Sequence, residues 1–152
     1  MKIRHILIVT GLGLGFSPKA PGTVGAIGGC LVSVLLKHYT VYPIPLLAVL
    51  ILLFIPIGAY CSNKVETYWG KDPSEIVIDE IVGMWIALWA LPSGWLYTLA
   101  AFVLFRFFDI YKPLLINKME KLKGGWGVMM DDVLAGLYAN LVIQLFHFLN
   151  FF

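Results

Sequence analysis

The feature this sequence lacks most is charge. Asp, Glu, Lys and Arg make up 13% of its 152 residues, against about 25% in ordinary soluble domains. Hydrophobic residues reach 60%, against roughly 45–50% with glycine included. So few charges cannot cover the surface of a small soluble domain, and the formal net charge is only +2. The composition excludes a disordered chain and a nucleic-acid binder with a basic patch, and it indicates a membrane protein.

Cysteine and histidine are also scarce. Cys30 and Cys61 lie in apolar stretches, so we expect small buried hydrophobic residues rather than a disulfide or a metal pair. His5, His38 and His147 are scattered along the chain. The chain contains neither a Gly-x-Ser-x-Gly element nor a His-Glu-x-x-His element, which argues against serine-hydrolase and zinc-protease chemistry.

Four long stretches contain no charged residue at all. A helix needs about 20 apolar residues to cross a bilayer, and lipid leaves backbone groups no partner outside the helix. The sequence therefore predicts an all-α fold. We expect residues 1–152 to form a single membrane-embedded domain, a small polytopic bundle of four to five apolar helices. The uncharged stretches are 20–36, 38–63, 81–105 and 133–152, of 17, 26, 25 and 20 residues.

The third stretch is interrupted at its middle by Pro92-Ser93-Gly94, a combination that breaks helices. We interpret it as a hairpin with arms Ser74–Leu91 and Gly94–Ile110, rather than as one span. This arrangement places ten of the eleven Lys and Arg residues on one face and only Lys37 on the other. The positive-inside rule makes the crowded face cytoplasmic, and all nine carboxylates share it.

A glycine-rich loop extends from Gly11 to Gly25 before the first apolar helix. Thr23 is a suitable N-cap for that helix, and Lys19 adds a positive charge. Glycine backbone and a helix N-terminus can bind an anion, although the Gly-Lys-Ser/Thr of a Walker loop is missing. Anion binding and a purely structural turn both remain open here.

Five acidic residues lie at the membrane ends of three predicted helical segments, on the cytoplasmic face. Two of the segments repeat one spacing, in which an acid precedes a glycine by four residues: Asp79 with Gly83, and Asp132 with Gly136. That spacing places acid and glycine on the same helix face, and glycine allows close helix contact. We expect the acids to lie together. They are Asp79, Glu80, Asp109, Asp131 and Asp132.

Crowded carboxylates repel one another, and their burial is costly. Single acids at helix N-termini are ordinary dipole caps, but five together favour a divalent cation bound through oxygen. Arg106 precedes Asp109 by three residues, so it can either pair with Asp109 or hold phosphoryl oxygens together with Lys112. Acids for a metal and cations for phosphate suggest metal-assisted chemistry on a phosphorylated substrate.

Four motifs, in order, resemble those of the phosphatidylglycerophosphatase A family. These bacterial membrane phosphatases remove the terminal phosphate of phosphatidylglycerophosphate. The chain departs from the family pattern at Ala26 and Leu115, neither of which replaces a charged position. The motifs are Gly11-Leu-Gly with Pro18-Lys-Ala-Pro-Gly-Thr-Val-Gly25, Asp79-Glu-Ile-Val-Gly-Met-Trp85, Phe105-Arg-Phe-Phe-Asp-Ile-Tyr-Lys-Pro113 and Gly127-Val-Met-Met-Asp-Asp-Val-Leu-Ala-Gly136.

The resemblance implies a Mg²⁺-dependent enzyme of the bacterial inner membrane, with an anionic phospholipid as substrate. It implies catalytic or metal-binding roles for the five acids. Substrate-binding roles are expected for Lys19, Thr23, Arg106 and Lys112. Two other classes remain as alternatives. A lipid headgroup transferase would also use paired aspartates and Mg²⁺, but its Asp-Gly-x-x-Ala-Arg element is absent. A non-catalytic, ion-binding membrane protein is the other.

Overall fold

Helices account for most of residues 2–151, the part of the chain that this computed structural model describes. No β-strand occurs within those residues, so the all-α prediction is confirmed. A short 3-10 turn, Leu14–Phe16, lies in the glycine-rich loop. The α-helices are α1 (Ile3–Val9), α2 (Pro21–Tyr39), α3 (Pro43–Trp69), α4 (Ile78–Leu88), α5 (Trp95–Tyr111), α6 (Ile116–Met119) and α7 (Gly125–Phe148).

Helix α4, with only 11 residues, lies at the centre of the bundle. Nine of its 11 residues are buried, and it contacts α2, α3, α5 and α7. A helix that is apolar on all sides is stable only when neighbours cover it on all sides. The other helices therefore position α4, and α4 carries two of the predicted site residues in its first turn, Asp79 and Glu80.

The predicted hairpin is confirmed, but its first arm is shorter than expected. The arm was predicted as Ser74–Leu91, whereas α4 covers only Ile78–Leu88. Before it, the chain is held in a non-helical turn, in which the Val77 N–H donates to the carbonyl of Val9 at 2.8 Å. After it, the Asn140 side chain donates to the carbonyls of Ala87 and Trp89. Tertiary hydrogen bonds thus fix both ends of α4.

The beginning of α2 also differs from the prediction. Thr23 is not the N-cap. The helix begins at Pro21, and Ala20 precedes it with a left-handed backbone (φ 47°). Proline favours the first helical position because its fixed φ is already helical and its missing N–H would be unpaired there anyway. Thr23 is therefore the third residue of α2.

The outer faces of the bundle are strongly apolar. Leu31 on α2, Leu52 on α3, Val103 on α5 and Leu141 on α7 are each more than half exposed. Among the described residues, two helices, α3 and α7, are both long and apolar enough to cross a membrane. At 1.5 Å per residue, the 27 residues of α3 extend over about 40 Å, while α4 and α5 are shorter than a full crossing.

Helices α4 and α7 approach closely because two glycines face each other. A Cβ atom added to Gly83 would lie 2.8 Å from the carbonyl oxygen of Asp132, and one added to Gly136 would collide with the carbonyl of Gly83. Both neighbours are backbone atoms, which cannot rotate away. The contact inferred from the repeated acid-to-glycine spacing is therefore confirmed.

We expect Gly136→Ala to lower the free energy of unfolding by about 1–3 kcal/mol, because the added methyl group would force α4 and α7 apart. Unfolding in detergent micelles, followed by circular dichroism, measures the change. Gly28→Ala is the matched control, since its Cβ would meet only the end of the flexible Leu14 side chain. Equal stability of the two variants would contradict the tight contact.

Candidate active site

Three carboxyl groups form a compact cluster where α4 meets α7. Asp79 and Glu80 belong to the first turn of α4, and Asp132 lies on α7. One oxygen atom from each lies within 4.8 Å of the other two. Asp79 and Asp132 are buried, with exposed fractions of 8% and 3%. These three residues are called the acid trio below.

Two oxygen atoms of the acid trio lack any hydrogen-bond partner among the described residues. They are Asp79 Oδ1 and Glu80 Oε2, and both are buried. A buried polar atom without a partner costs about 1–3 kcal/mol, and more when it is charged. The arrangement is therefore complete only when a proton or a cation neutralises these carboxylates. Oxygen ligands at such spacing suit a hard divalent cation.

The other two predicted acids lie beside the trio, and each is paired with a cation. Arg106 Nη1 donates to Asp109 Oδ2 at 2.5 Å. Lys112 Nζ donates to Asp131 Oδ2 at 2.7 Å. The carboxyl groups of Asp109 and Asp131 both interact electrostatically with Asp132. The structure therefore brings all five acids into one region, three as a trio and two as ion pairs around it.

Lys112 is held in place by both its backbone and its charge. It ends α5 in a left-handed conformation (φ 45°), which turns the chain toward α6 and α7. Burial lowers the pKa of Lys112, but the hydrogen bond and the negative charge of Asp131 outweigh this effect, so the pKa is raised above its usual value. Lys112 therefore remains protonated and retains its positive charge beside the acids.

The glycine-rich loop reaches the site only at its end. A Cβ atom added to Gly22 would lie 3.3 Å from Arg106 Nη1 and would collide with the Glu80 carboxylate. Glycine at this position lets the first turn of α2 lie directly against both charged groups. Gly22 did not stand out as a site residue, because one glycine among many carries no distinct signal. Only the tertiary contact identifies it.

Lys19 and Thr23 are not placed in the same way. Lys19 is exposed, and no ion pair within residues 2–151 involves it. Its carbonyl accepts a hydrogen bond from Ser17 at 3.0 Å. Thr23 lies one residue beyond Gly22 in the first turn of α2. Their predicted roles in substrate binding remain predictions, whereas Arg106 and Lys112 lie among the acids.

Two further acids that the sequence analysis passed over border the site. Glu120 Oε1 lies 3.5 Å from Lys112 Nζ, and Asp72 lies in the loop before α4, where its N–H donates to Glu66 Oε1 at 2.9 Å. Burial raises the pKa of Asp72, and the nearby Lys112 opposes that shift. Both acids lie in loops rather than at the ends of apolar helices, so helix-end patterns do not detect them.

The Lys112–Asp131 ion pair is partly buried, so its loss has a measurable cost. We expect Lys112→Met and Asp131→Asn each to lower the free energy of unfolding. The double variant should lose less than the sum of the two single losses, and the difference, the coupling energy, should be about 1–2 kcal/mol. Chemical unfolding of the four proteins gives this value. Lys118→Met, at an exposed position, is the control. If the losses of the two single variants simply add up in the double variant, the ion pair does not contribute to stability and the prediction is wrong.

Comparison with known proteins adds to this geometry. The sequence model of the family Phosphatidylglycerophosphatase A matches residues 7–147. A Bacteroides thetaiotaomicron protein named "Putative phosphatidylinositol-3-phosphatase" is 50% identical over 145 residues, covering 91% of this chain and 90% of its own length. Phosphatidylglycerophosphatase A of Haemophilus influenzae is 42% identical over 142 residues, covering 91% and 85%.

Phosphatidylglycerophosphatase A of Escherichia coli (strain K12) is 39% identical over 136 residues, covering 88% of this chain and 77% of its own length. No solved structure matches the chain. The matched residues include all four sequence motifs and every member of the acid trio. The protein therefore belongs to the phosphatidylglycerophosphatase A family, a family of phosphatases.

Proposed function

We propose that the protein hydrolyses the terminal phosphate of phosphatidylglycerophosphate, giving phosphatidylglycerol and inorganic phosphate in glycerophospholipid biosynthesis. Family membership supports a phosphatase, and two relatives carry the name of this activity. The single observation that carries the proposal is the acid trio with two cations beside it. Phosphomonoester hydrolysis of this kind requires carboxylates that can hold a metal and cationic side chains that can hold phosphate. The acid trio provides the first, and Arg106 and Lys112 provide the second.

We propose that the acid trio holds Mg²⁺. The fit rests on the oxygen donors of Asp79, Glu80 and Asp132 and on the two buried oxygen atoms without partners. When bound, a divalent cation would neutralise the phosphomonoester and acidify a water molecule. Asp109 and Asp131 would serve mainly to orient Arg106 and Lys112, since each carboxylate already has a cationic partner.

The remaining steps are assigned to residues of the chain itself. Arg106 would bind phosphoryl oxygens through two N–H groups, and Lys112 would add a second positive charge. Both would stabilise the negative charge that develops as the phosphorus–oxygen bond to the glycerol breaks. One carboxylate would either take a proton from the attacking water or attack phosphorus itself to give an acyl phosphate that water then hydrolyses. The departing alkoxide oxygen gains a proton in both routes.

We also propose that the protein is a multi-pass protein of the bacterial inner membrane, with its site on the cytoplasmic face. Support comes from the apolar outer faces of the bundle and from α3 and α7. Lys37 contacts the carbonyl of Leu91, at the end of the α4–α5 hairpin opposite the acid trio, so the positive charge is concentrated on the side of the site. Lipid substrate would then enter from the inner leaflet.

One observation favours a second substrate. The Bacteroides relative is named for activity on a phosphatidylinositol 3-phosphate, and it shares more identity with this chain than the two phosphatidylglycerophosphatases do. Both lipids carry a phosphomonoester on a polar headgroup, so the same acids and cations would serve either. The substrates differ in the alcohol that leaves.

Phosphate release from each lipid in detergent micelles, with Mg²⁺ and then with EDTA, tests these proposals. We expect release from phosphatidylglycerophosphate that stops in EDTA and returns with added Mg²⁺. Asp132→Asn and Asp79→Asn should lower kcat at least about 100-fold with folding intact, because each removes a charge that acts in the transition state. Glu75→Gln, an acid outside the trio, is the matched control.

Distinct results would contradict distinct parts of the proposal. Activity that persists in EDTA would contradict the proposed metal requirement. Near-normal turnover of Asp132→Asn would show that this residue is not part of the active site. Exclusive hydrolysis of phosphatidylinositol 3-phosphate would replace the lipid but keep the chemistry. If neither lipid releases phosphate, a nucleotide-activated lipid tests the headgroup transferase.

A further inference from the structure

A large cavity lies away from the acid trio. It measures about 640 Å³ and lies between α2 and α5. The lining of the cavity is mainly apolar, and includes Ile27, Cys30 and Val34 on α2 and Leu99 and Phe102 on α5. Spacings of three and four residues place these side chains along one face of each helix. The cavity is thus a groove that runs parallel to both helices.

This groove, called the α2–α5 groove below, points toward the site. Thr23 lies one helical turn before Ile27 on the same face of α2, and Arg106 lies one turn after Phe102 on the same face of α5. The contact between Gly22 and Arg106 brings these helix ends together beside Glu80. The groove therefore begins about one turn, or roughly 6 Å, below the groups proposed to hold the phosphate.

The α2–α5 groove extends from near the site to the opposite end of the bundle. Its α2 wall extends from Ile27 to Lys37, which is about 15 Å at 1.5 Å per residue. The hydrocarbon core of a membrane is about 30 Å thick, so the groove covers about half of that depth. At the far end, Lys37 donates to the carbonyl of Leu91 at 3.1 Å and gives the groove a polar end.

We propose that the α2–α5 groove binds an acyl chain of the phospholipid substrate. The inference rests on the proposed function, and it adds a binding site for the part of the lipid that takes no part in hydrolysis. The phosphate lies beside Arg106 and the acid trio, and the acyl chain lies between α2 and α5, in contact with Cys30 and Val34. Burial of the chain's methylene groups contributes binding energy, and the groove fixes the headgroup's position relative to the carboxylates.

The test compares two substrates with the same headgroup and different tails, dioleoyl and dihexanoyl phosphatidylglycerophosphate, in the same micelles. Cys30→Phe and Val34→Phe fill the groove. We expect either change to lower kcat/KM for the dioleoyl lipid about tenfold, since each methylene excluded from an apolar site weakens binding several-fold. The dihexanoyl lipid, whose chains enter only the top of the groove, should change less than about twofold.

The chain offers matched controls on the same helix. Leu31 and Leu35 are neighbours of the two groove residues on α2 and do not line the groove. We expect Leu31→Phe and Leu35→Phe to leave the ratio of dioleoyl to dihexanoyl activity at the wild-type value. If the groove variants also keep the wild-type ratio of dioleoyl to dihexanoyl activity, the proposal is wrong, and the groove is filled only by lipids of the surrounding membrane.

A second measurement does not depend on turnover. Phosphatidylglycerophosphate with a photoactivatable diazirine midway along one acyl chain would be crosslinked to the wild-type protein, and the labelled residues mapped by mass spectrometry. We expect labels within 27–37 and 95–102, reduced by unlabelled lipid. Labels spread over all exposed faces, without competition, would overturn the acyl-chain site. A wild-type protein that hydrolyses neither lipid would instead contradict the proposed function.

Discussion

At Gly83 and Gly136 the backbones of α4 and α7 approach so closely that no side chain fits between them. Each glycine lies four residues, about one helical turn, after an acid. The same helix contact therefore brings the carboxylates of Asp79 and Asp132 close together. The approach is possible because neither glycine has a side chain, and the helices that pack around α4 hold it in place. The rest of the site depends on this contact, since it sets the separation of the carboxylates and the space into which Arg106 projects.

Two of the five acids have a cationic side chain as partner, and the other three do not form such an ion pair among the described residues. Asp109 and Asp131 have Arg106 and Lys112 as partners, and each ion pair offsets part of the cost of placing a carboxylate in a partly buried setting. The acid trio has no such partner among the described residues and carries up to three negative charges in a small volume. A divalent cation bound as proposed would remove most of that repulsion. A phosphate bound as proposed would compete with Asp109 and Asp131 for Arg106 and Lys112.

Much of this arrangement could be predicted from the sequence. Charge-free stretches of helical length predicted the bundle, and Pro92-Ser93-Gly94 predicted the hairpin. The acid-to-glycine spacing predicted the α4–α7 contact. These signals are local, since they depend on periodicity and on residues that break helices. They identify which faces meet without any knowledge of the loops between them.

What could not be predicted depends on contacts between distant segments. The first turn of α4 begins later than its composition suggests because a hydrogen bond to Val9 holds the preceding chain. The role of Gly22 follows from its position against Glu80 and Arg106, and Asp72 and Glu120 approach Lys112 from separate loops. The α2–α5 groove is likewise a space between two helices, and no single stretch of sequence encodes it.

The proposed sites for the phosphate and for the acyl chain are formed by different residues. The proposed roles of the acids and of Arg106 and Lys112 depend on the charge of a phosphomonoester and not on the alcohol that carries it, and two similar proteins are named for different lipids. Preference for a lipid over a soluble monoester must therefore come from groups outside the trio and its ion pairs. An acyl chain bound in the proposed α2–α5 groove would supply such binding energy, which a water-soluble phosphate ester cannot obtain.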